Sequence, residues 1–162
     1  MSDLVEKLRP VERDLARDFG DFALFALFAP EENSYERWDL VLAAPRLRHT
    51  YERAQLQRII DVMRQHLTLN DYIRVCRFIF LPMTSPALME ITRRYPTEGR
   101  VIEIFSREMF NHFIREGYIM TSRPVLARTP DSPAQASTDC TRPSTIARKP
   151  RVASQVAELP RT

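Results

Sequence analysis

The apolar run at residues 75–81 constrains the fold of this chain more than any other stretch. It reads Val-Cys-Arg-Phe-Ile-Phe-Leu, and Pro82 follows it. A short run of β-branched and aromatic residues that ends at a proline is typical of a strand buried on both faces. The sequence therefore predicts a central strand at 75–81, with other elements above, below and beside it.

Two further strands are predicted before this run. Residues 22–29 (Phe-Ala-Leu-Phe-Ala-Leu-Phe-Ala) carry no polar side-chain atom, so both faces of this segment must be covered. Periodicity alone leaves a buried helix open as the alternative, and the flanking Gly20 and Pro30 favour an internal strand. Residues 38–44 form the next predicted strand, which we expect to pair with 22–29 in antiparallel fashion.

Amphipathic spacing predicts an N-terminal helix at 2–19 and a second helix at 47–67. In the first helix Ser2 suits the N-cap and Gly20 suits the left-handed position beyond the end, whereas Pro10 predicts a kink or a division into two short helices. Thr68 or Asn70 opens a short turn before the strand at 75–81. A strand, a helix and another strand make a right-handed crossover, which predicts that 38–44 and 75–81 are parallel.

The remaining elements of the predicted domain lie between residues 84 and 122. Ser85 and Pro86 predict the start of a helix that ends near Tyr95, and 100–105 is a predicted strand. Ser106 is expected to cap another helix, with Met109, Phe113 and Ile114 facing inward, before a last strand at 118–122. The fold class is therefore α/β, a single domain at residues 1–122 with a mixed, mostly parallel five-stranded sheet flanked by helices.

The composition changes at residue 123. Residues 1–122 hold 17 of the 24 basic and 18 of the 21 acidic residues, so the surplus of positive charge lies in 123–162. That segment has 6 of the 12 prolines and no aromatic residue or glycine. Such a segment buries too little apolar surface to offset its ordering entropy, and we predict a disordered tail.

Signatures of catalysis and of cofactors are missing from the sequence. The three histidines have no metal-ligand spacing, and the isolated glycines form no phosphate-binding loop. Cys76 falls inside the predicted central strand, where a thiol behaves as a small inert hydrophobe. Asp39 and Glu103 are the one acidic pair on predicted strands. Two carboxylates on adjacent strands of a mixed sheet could hold Mg²⁺. Such a pair resembles the site of nucleases of the restriction-endonuclease type, although the acid-x-Lys step of those enzymes is absent.

Topology suggests one further site. If the strands at 38–44, 75–81, 100–105 and 118–122 are parallel, their carboxyl ends share one rim of the sheet, where open α/β sheets bind ligands. The residues expected on this rim as an anion site are Arg46, Ser85, Ser106, Arg107 and Arg123. Ser85 and Ser106 also have the plainer role of helix caps.

These observations predict a non-enzymatic interaction or regulatory module that binds a protein partner or self-associates through apolar surface. The alternative is an enzyme or binding protein for a phosphate-containing ligand or nucleic acid at the rim. Nucleic-acid binding by the tail is weakly supported, because its charge is modest and no aromatic residue accompanies it. No cofactor and no membrane contact are expected, and with two unpaired cysteines the chain is predicted to be cytoplasmic.

Overall fold

One five-stranded mixed sheet with helices on both faces makes up the computed structural model, which describes residues 3–32, 37–50, 52–109 and 112–125. The described residues belong to one compact unit, Met1–Arg128. The helices are α1 (Asp3–Phe19), α2 (Arg53–His66), α3 (Leu69–Arg74) and α4 (Pro86–Arg94). The strands are β1 (Leu24–Pro30), β2 (Trp38–Ala43), β3 (Val75–Phe80), β4 (Ile102–Met109) and β5 (His112–Ser122).

The strands are ordered β3-β2-β1-β5-β4 across the sheet. The α/β class and the mixed sheet are confirmed, and the crossover through α2 and α3 makes β2 and β3 parallel as predicted. The prediction of a mostly parallel sheet is wrong, because the β1–β2, β1–β5 and β4–β5 pairs are all antiparallel. The prediction that residues 75–81 form the central strand is also wrong, since β3 lies at an edge.

The centre of the sheet is β1, and all seven of its residues are buried. Phe25, Leu27 and Ala29 face the core layer that includes α1 and α2. Leu24, Ala26 and Phe28 face the second layer, which includes α4. The run without polar side-chain atoms is therefore an internal strand, as predicted, and the alternative of a buried helix is wrong.

The N-terminal helix follows its predicted stripe. Its buried residues include Leu4, Leu8, Val11 and Leu15. Gly20 follows the helix at φ 84°, and its N–H donates a hydrogen bond to the Ala16 carbonyl. The helix passes through Pro10, so the alternative of two short helices is wrong. The second helix begins at Arg53 rather than at residue 47. Thr68 caps α3 as predicted, in a reciprocal capping box with Asp71.

The predicted helix after Ser106 is wrong, because β4 continues through this residue to Met109 and β5 begins at His112. Ser106 has φ 50°, which is unusual for a residue other than glycine. Met109, Phe113 and Ile114 have helical spacing, but pairing of β4 with β5 along their length outweighs that local preference. The inward direction predicted for Phe113 is wrong as well, since 45% of this residue is exposed.

Gly117 in β5 lies opposite Phe28 of β1 and leaves room for its ring. A Cβ atom at this position would lie 2.6 Å from Cδ1 of Phe28, which is fully buried. The glycine is therefore needed for space, since the aromatic ring occupies the volume of the missing side chain.

The predicted tail begins with three described residues, of which Arg123 is ordered by ion pairs with the domain. The remainder of the predicted disordered segment, residues 126–162, lies outside the described residues. Among the helices that the structure describes, none is long and apolar enough to cross a membrane.

Candidate functional site

The edge strand β3 and the helix before it expose apolar side chains. Leu69 and Ile73 are one turn apart on α3 and are 76% and 61% exposed. Within the described part of the chain, β3 pairs with β2 alone, so it is an edge strand of the sheet. Cys76, which was predicted to be buried, is exposed here as a free thiol. We call Leu69, Ile73, Cys76 and the outer backbone of β3 the β3–α3 edge.

The opposite edge of the sheet is more polar. The strand β4 exposes Glu103, Arg107 and Glu108, and Ser106 interrupts its regular extended geometry. Charges and local irregularity are the means by which proteins protect edge strands from pairing with other chains. Phe105 is 55% exposed on β4, so this edge also has one large apolar side chain.

The predicted acidic pair is not formed. Asp39 is on β2 and Glu103 is on β4, and two strands separate them, so the prediction that they lie on adjacent strands is wrong. Asp39 instead accepts two hydrogen bonds from Arg77, at 3.1 Å from Nε and 2.7 Å from Nη2. This bidentate contact is the main cause of the raised pKa of Arg77.

Further charged groups connect the Asp39–Arg77 ion pair to the surface. Glu32 lies 3.6 Å from Nη2 of Arg77 and 3.2 Å from Nδ1 of His112. Despite this concentration of charged groups, the described residues contain no group of three His, Cys, Asp or Glu side chains that could hold a metal ion. The arrangement is a buried carboxylate neutralised by an arginine, and its outer members are half exposed.

The predicted anion rim is only partly assembled. The strands β2, β3 and β5 run in one direction, and β4 runs in the other. Ser106 and Arg107 therefore do not join the other three residues at the same end of the sheet, and this part of the prediction is wrong. Ser85 is the N-cap of α4, without a side-chain hydrogen bond, and Arg46 donates a 3.4 Å hydrogen bond to the carbonyl of Asp18.

Arg123, the last predicted rim residue, lines a cleft of about 420 Å³ between α1 and the end of β5. Its guanidinium lies 3.3 Å from Asp21 and 2.6 Å from Glu98. Neither Arg46 nor Ser85 belongs to the lining. The charged lining residues, which define what we call the α1–β5 cleft, are Arg9, Glu12, Arg13, Asp21, Glu98 and Arg123.

Glu12 is a partly buried carboxyl group of the cleft. Burial raises the pKa of this carboxyl above its ordinary value. A hydrogen bond from Thr121 and the charges of Arg9 and Arg123 oppose that effect in part. Arg9 also donates a 3.1 Å hydrogen bond to the carbonyl of Gly99, which joins α1 to the loop before β4.

Sequence reasoning missed the α1 side of this cleft. Arg9, Glu12, Arg13 and Ala16 have the spacing of one helical stripe, but a charged stripe opposite an apolar one is the usual pattern of a solvated face. The sequence has no local signal that residue 123 returns to this stripe.

Comparisons with protein-family models, curated proteins and solved structures found no match to this chain.

Proposed function

We propose that this chain is a non-enzymatic interaction module that self-associates through the β3–α3 edge. The observation that carries the proposal is the exposure of Leu69 and Ile73 on one face of α3, directly before an edge strand. Two large aliphatic side chains one turn apart form a contact surface rather than the scattered single exposures that are normal for surfaces.

The geometry of the proposed dimer follows from symmetry. A twofold dimer uses the same surface on both copies, so β3 of one copy pairs with β3 of the other in antiparallel orientation. The two five-stranded sheets then become one continuous sheet. Pairing of two edge strands is the same physical interaction that drives β-strand addition in peptide recognition.

The free energies of burial and association indicate that the dimer needs both the apolar contacts and the strand pairing. Burying a large aliphatic side chain contributes about 1.5–3 kcal/mol, and a symmetric dimer buries Leu69 and Ile73 from each copy. Association costs roughly 4–15 kcal/mol in lost translational and rotational freedom. The apolar contacts are of the same order as this cost, so the backbone hydrogen bonds of β3 have to supply part of the surplus.

Sedimentation velocity over a range of concentrations tests the proposal. The unmodified chain is expected to sediment as a dimer that dissociates on dilution, whereas the variant Leu69→Glu/Ile73→Glu is expected to remain a monomer of 19.0 kDa. Phe105→Glu is the control, because it also replaces an exposed apolar side chain by glutamate, but on the other edge of the sheet. The control should remain dimeric.

Two results would contradict the proposal. A chain that is monomeric at every concentration does not self-associate, and a dimer that only Phe105→Glu dissociates uses the β4 edge instead.

A cross-linking measurement adds a positional readout. With Cys140→Ser as background, a short bis-maleimide should join Cys76 of one copy to Cys76 of the other, and the Leu69→Glu/Ile73→Glu variant should lose this product.

The alternative function, a phosphate-containing ligand or nucleic acid at the predicted rim, has less support. It depended on five residues at one end of the sheet, and the direction of β4 removes Ser106 and Arg107 from that set.

We also propose a cytoplasmic location, which the exposed free thiol of Cys76 supports, because reducing compartments keep such thiols unpaired.

A further inference from the structure

The side of the sheet that faces α4 has less helical cover than the other side. On the other side, α1 and α2 both contribute buried residues to the core layer. On this side, α4 is the one helix of the described part of the chain that contributes buried residues, and it is nine residues long. A helix with its side chains is about 10–12 Å across, whereas five strands make a sheet roughly 19 Å wide. Part of this face therefore lies beyond α4.

An apolar cavity of about 190 Å³ opens on this face, near the end of β1 and the start of β5. A dry cavity of roughly 150 Å³ with such walls holds one benzene molecule, which has six carbon atoms. The cavity therefore has room for about one valine and one leucine side chain, which together have seven. The apolar residues that define this cavity, which we call the α4-side groove, are Phe28, Pro30, Val41, Ile79, Leu81 and Ile114.

Residues 151–159 of the same chain have the pattern of a short amphipathic helix. Val152, Val156 and Leu159 recur at the spacing that places side chains on one helical face. A proline stands on each side of this segment, which limits the helix to about its length. A helix this short is not stable in isolation, so the pattern requires a surface that covers its apolar face.

We propose that residues 151–159 dock as a helix in the α4-side groove of their own chain, with Val156 and Leu159 filling the cavity. A helix that places anchors at this spacing into an apolar groove is a recurrent mode of peptide recognition. The sequence-based prediction of disorder concerned the tail by itself. Docking uses apolar surface that the domain supplies, as in segments that fold on binding.

The charges around the groove agree with this occupant. Glu31 and Glu32 are exposed beside His112, which lines the groove. Glu32 also contacts Arg77 and His112, and Glu31 adds a second negative charge at the same end of the sheet. Three basic residues lie within residues 148–151, at the start of the proposed helix. The segment and the rim of the groove are therefore opposite in charge.

The connecting chain has the length that docking within one molecule requires. Val125, the last described residue, packs against the core layer that includes α4. The groove reaches Ile114, eight residues before Ser122 on β5, which corresponds to about 26 Å along the strand. A flexible chain as long as residues 126–150 has an r.m.s. end-to-end distance of about 25–30 Å. The effective concentration of a tethered segment is highest when these two lengths match.

Paramagnetic relaxation in the full chain tests the docking. A nitroxide is attached to Ser154→Cys, which lies opposite the apolar stripe of the segment, in a Cys76→Ser/Cys140→Ser background. Methyl signals of Ile79, Leu81 and Ile114 report on the groove. Ile59 is the internal reference, since it is buried in the core layer on the other side of the sheet.

We expect the nitroxide to broaden the groove methyl signals and to leave the Ile59 signal sharp. Leu159→Asp should abolish this selective broadening, because the groove cannot take up a charged group without a large desolvation cost. Ile146→Asp is the matched control, since it places the same charge on a large aliphatic residue of the tail outside the proposed helix. It should leave the broadening unchanged.

Three results overturn the inference. The first is that the groove methyl signals are broadened no more than that of Ile59, and the second is an equal loss in Leu159→Asp and Ile146→Asp. The third is broadening that requires mixing a nitroxide-bearing chain with a separate isotope-labelled chain, which places the segment on a second copy. The inference goes beyond self-association, and the Leu69→Glu/Ile73→Glu variant separates the two, because its groove methyl signals should still be broadened.

Discussion

Substitution of Arg77 by methionine tests whether the ion pair with Asp39 contributes to stability through burial. Methionine keeps most of the aliphatic stem of Arg77 but removes both hydrogen bonds to the carboxylate. The Asp39 side chain is only 2% exposed, so its charge remains in the interior after Arg77 is replaced. Breaking a fully buried pair typically costs about 3–5 kcal/mol, and we expect a loss near the lower end of that range, because 51% of the Arg77 side chain is exposed to water.

A second Arg–Asp pair in the same chain provides the control. Arg58 and Asp18 are joined at 2.7 Å, the same distance as Nη2 of Arg77 and Asp39, but their side chains are 48% and 36% exposed. Exposed pairs contribute roughly 0–1 kcal/mol, because water solvates the remaining charge when the partner is removed. Arg58→Met should therefore lower the free energy of unfolding by no more than about 1 kcal/mol.

Urea unfolding of the two variants, followed by circular dichroism, measures the difference. A double variant, Asp39→Leu/Arg77→Met, removes both charges and should recover most of the stability lost in Arg77→Met, because replacing a buried pair by apolar residues is often neutral. Equal losses in Arg77→Met and Arg58→Met would refute the reasoning. A double variant that is no more stable than Arg77→Met would show that lost packing, rather than loss of the positive charge beside Asp39, causes the effect.

Two further predictions concern the core and the α3 cap. Gly117→Ala places a Cβ in contact with the ring of Phe28 and should cost about 1–3 kcal/mol in urea unfolding, and Phe28→Leu should lessen the cost of Gly117→Ala if the clash is its cause. Hydrogen bonds from Thr68, and after them the contact with Lys7, lower the pKa of Asp71 below its usual 3.8. The stabilisation from Asp71 is therefore fully present above pH 3.8 and is lost as the pH falls through the lower folded-state pKa. Urea unfolding should show that Asp71→Asn destabilises the chain at pH 7 and that the difference narrows in strong acid; a difference that does not change with pH contradicts the assignment.

Local patterns in the sequence were sufficient to predict those helices and strands whose environment is uniform along their length. The N-terminal helix has one continuous apolar stripe, and the run at residues 22–29 has no polar side chain at all. The stripe predicts a helix with one buried face, and the apolar run, flanked by Gly20 and Pro30, favours a strand with two. The crossover between β2 and β3 could be predicted for a similar reason, since the long helical connection favours a parallel pair.

Strand order was beyond the reach of these patterns. Residues 75–81 are as apolar as a central strand requires, yet β3 lies at an edge and exposes Cys76 and Arg77. Pairing between distant strands depends on which hydrogen-bonding edges meet, and composition does not encode that directly. The hairpin of β4 and β5 illustrates the same point, because a stretch with helical spacing forms a strand when a partner strand is available.

What the sequence by itself determined is therefore the set of amphipathic and fully apolar segments, because side-chain periodicity follows directly from the geometry of each helix or strand. The tertiary structure alone decided which charges meet. Asp39 meets Arg77 through the register of β2 and β3, and Arg123 meets Asp21 because the end of β5 lies beside the end of α1. These contacts join residues 38 and more than 100 positions apart, and their geometry exists only once the sheet is assembled.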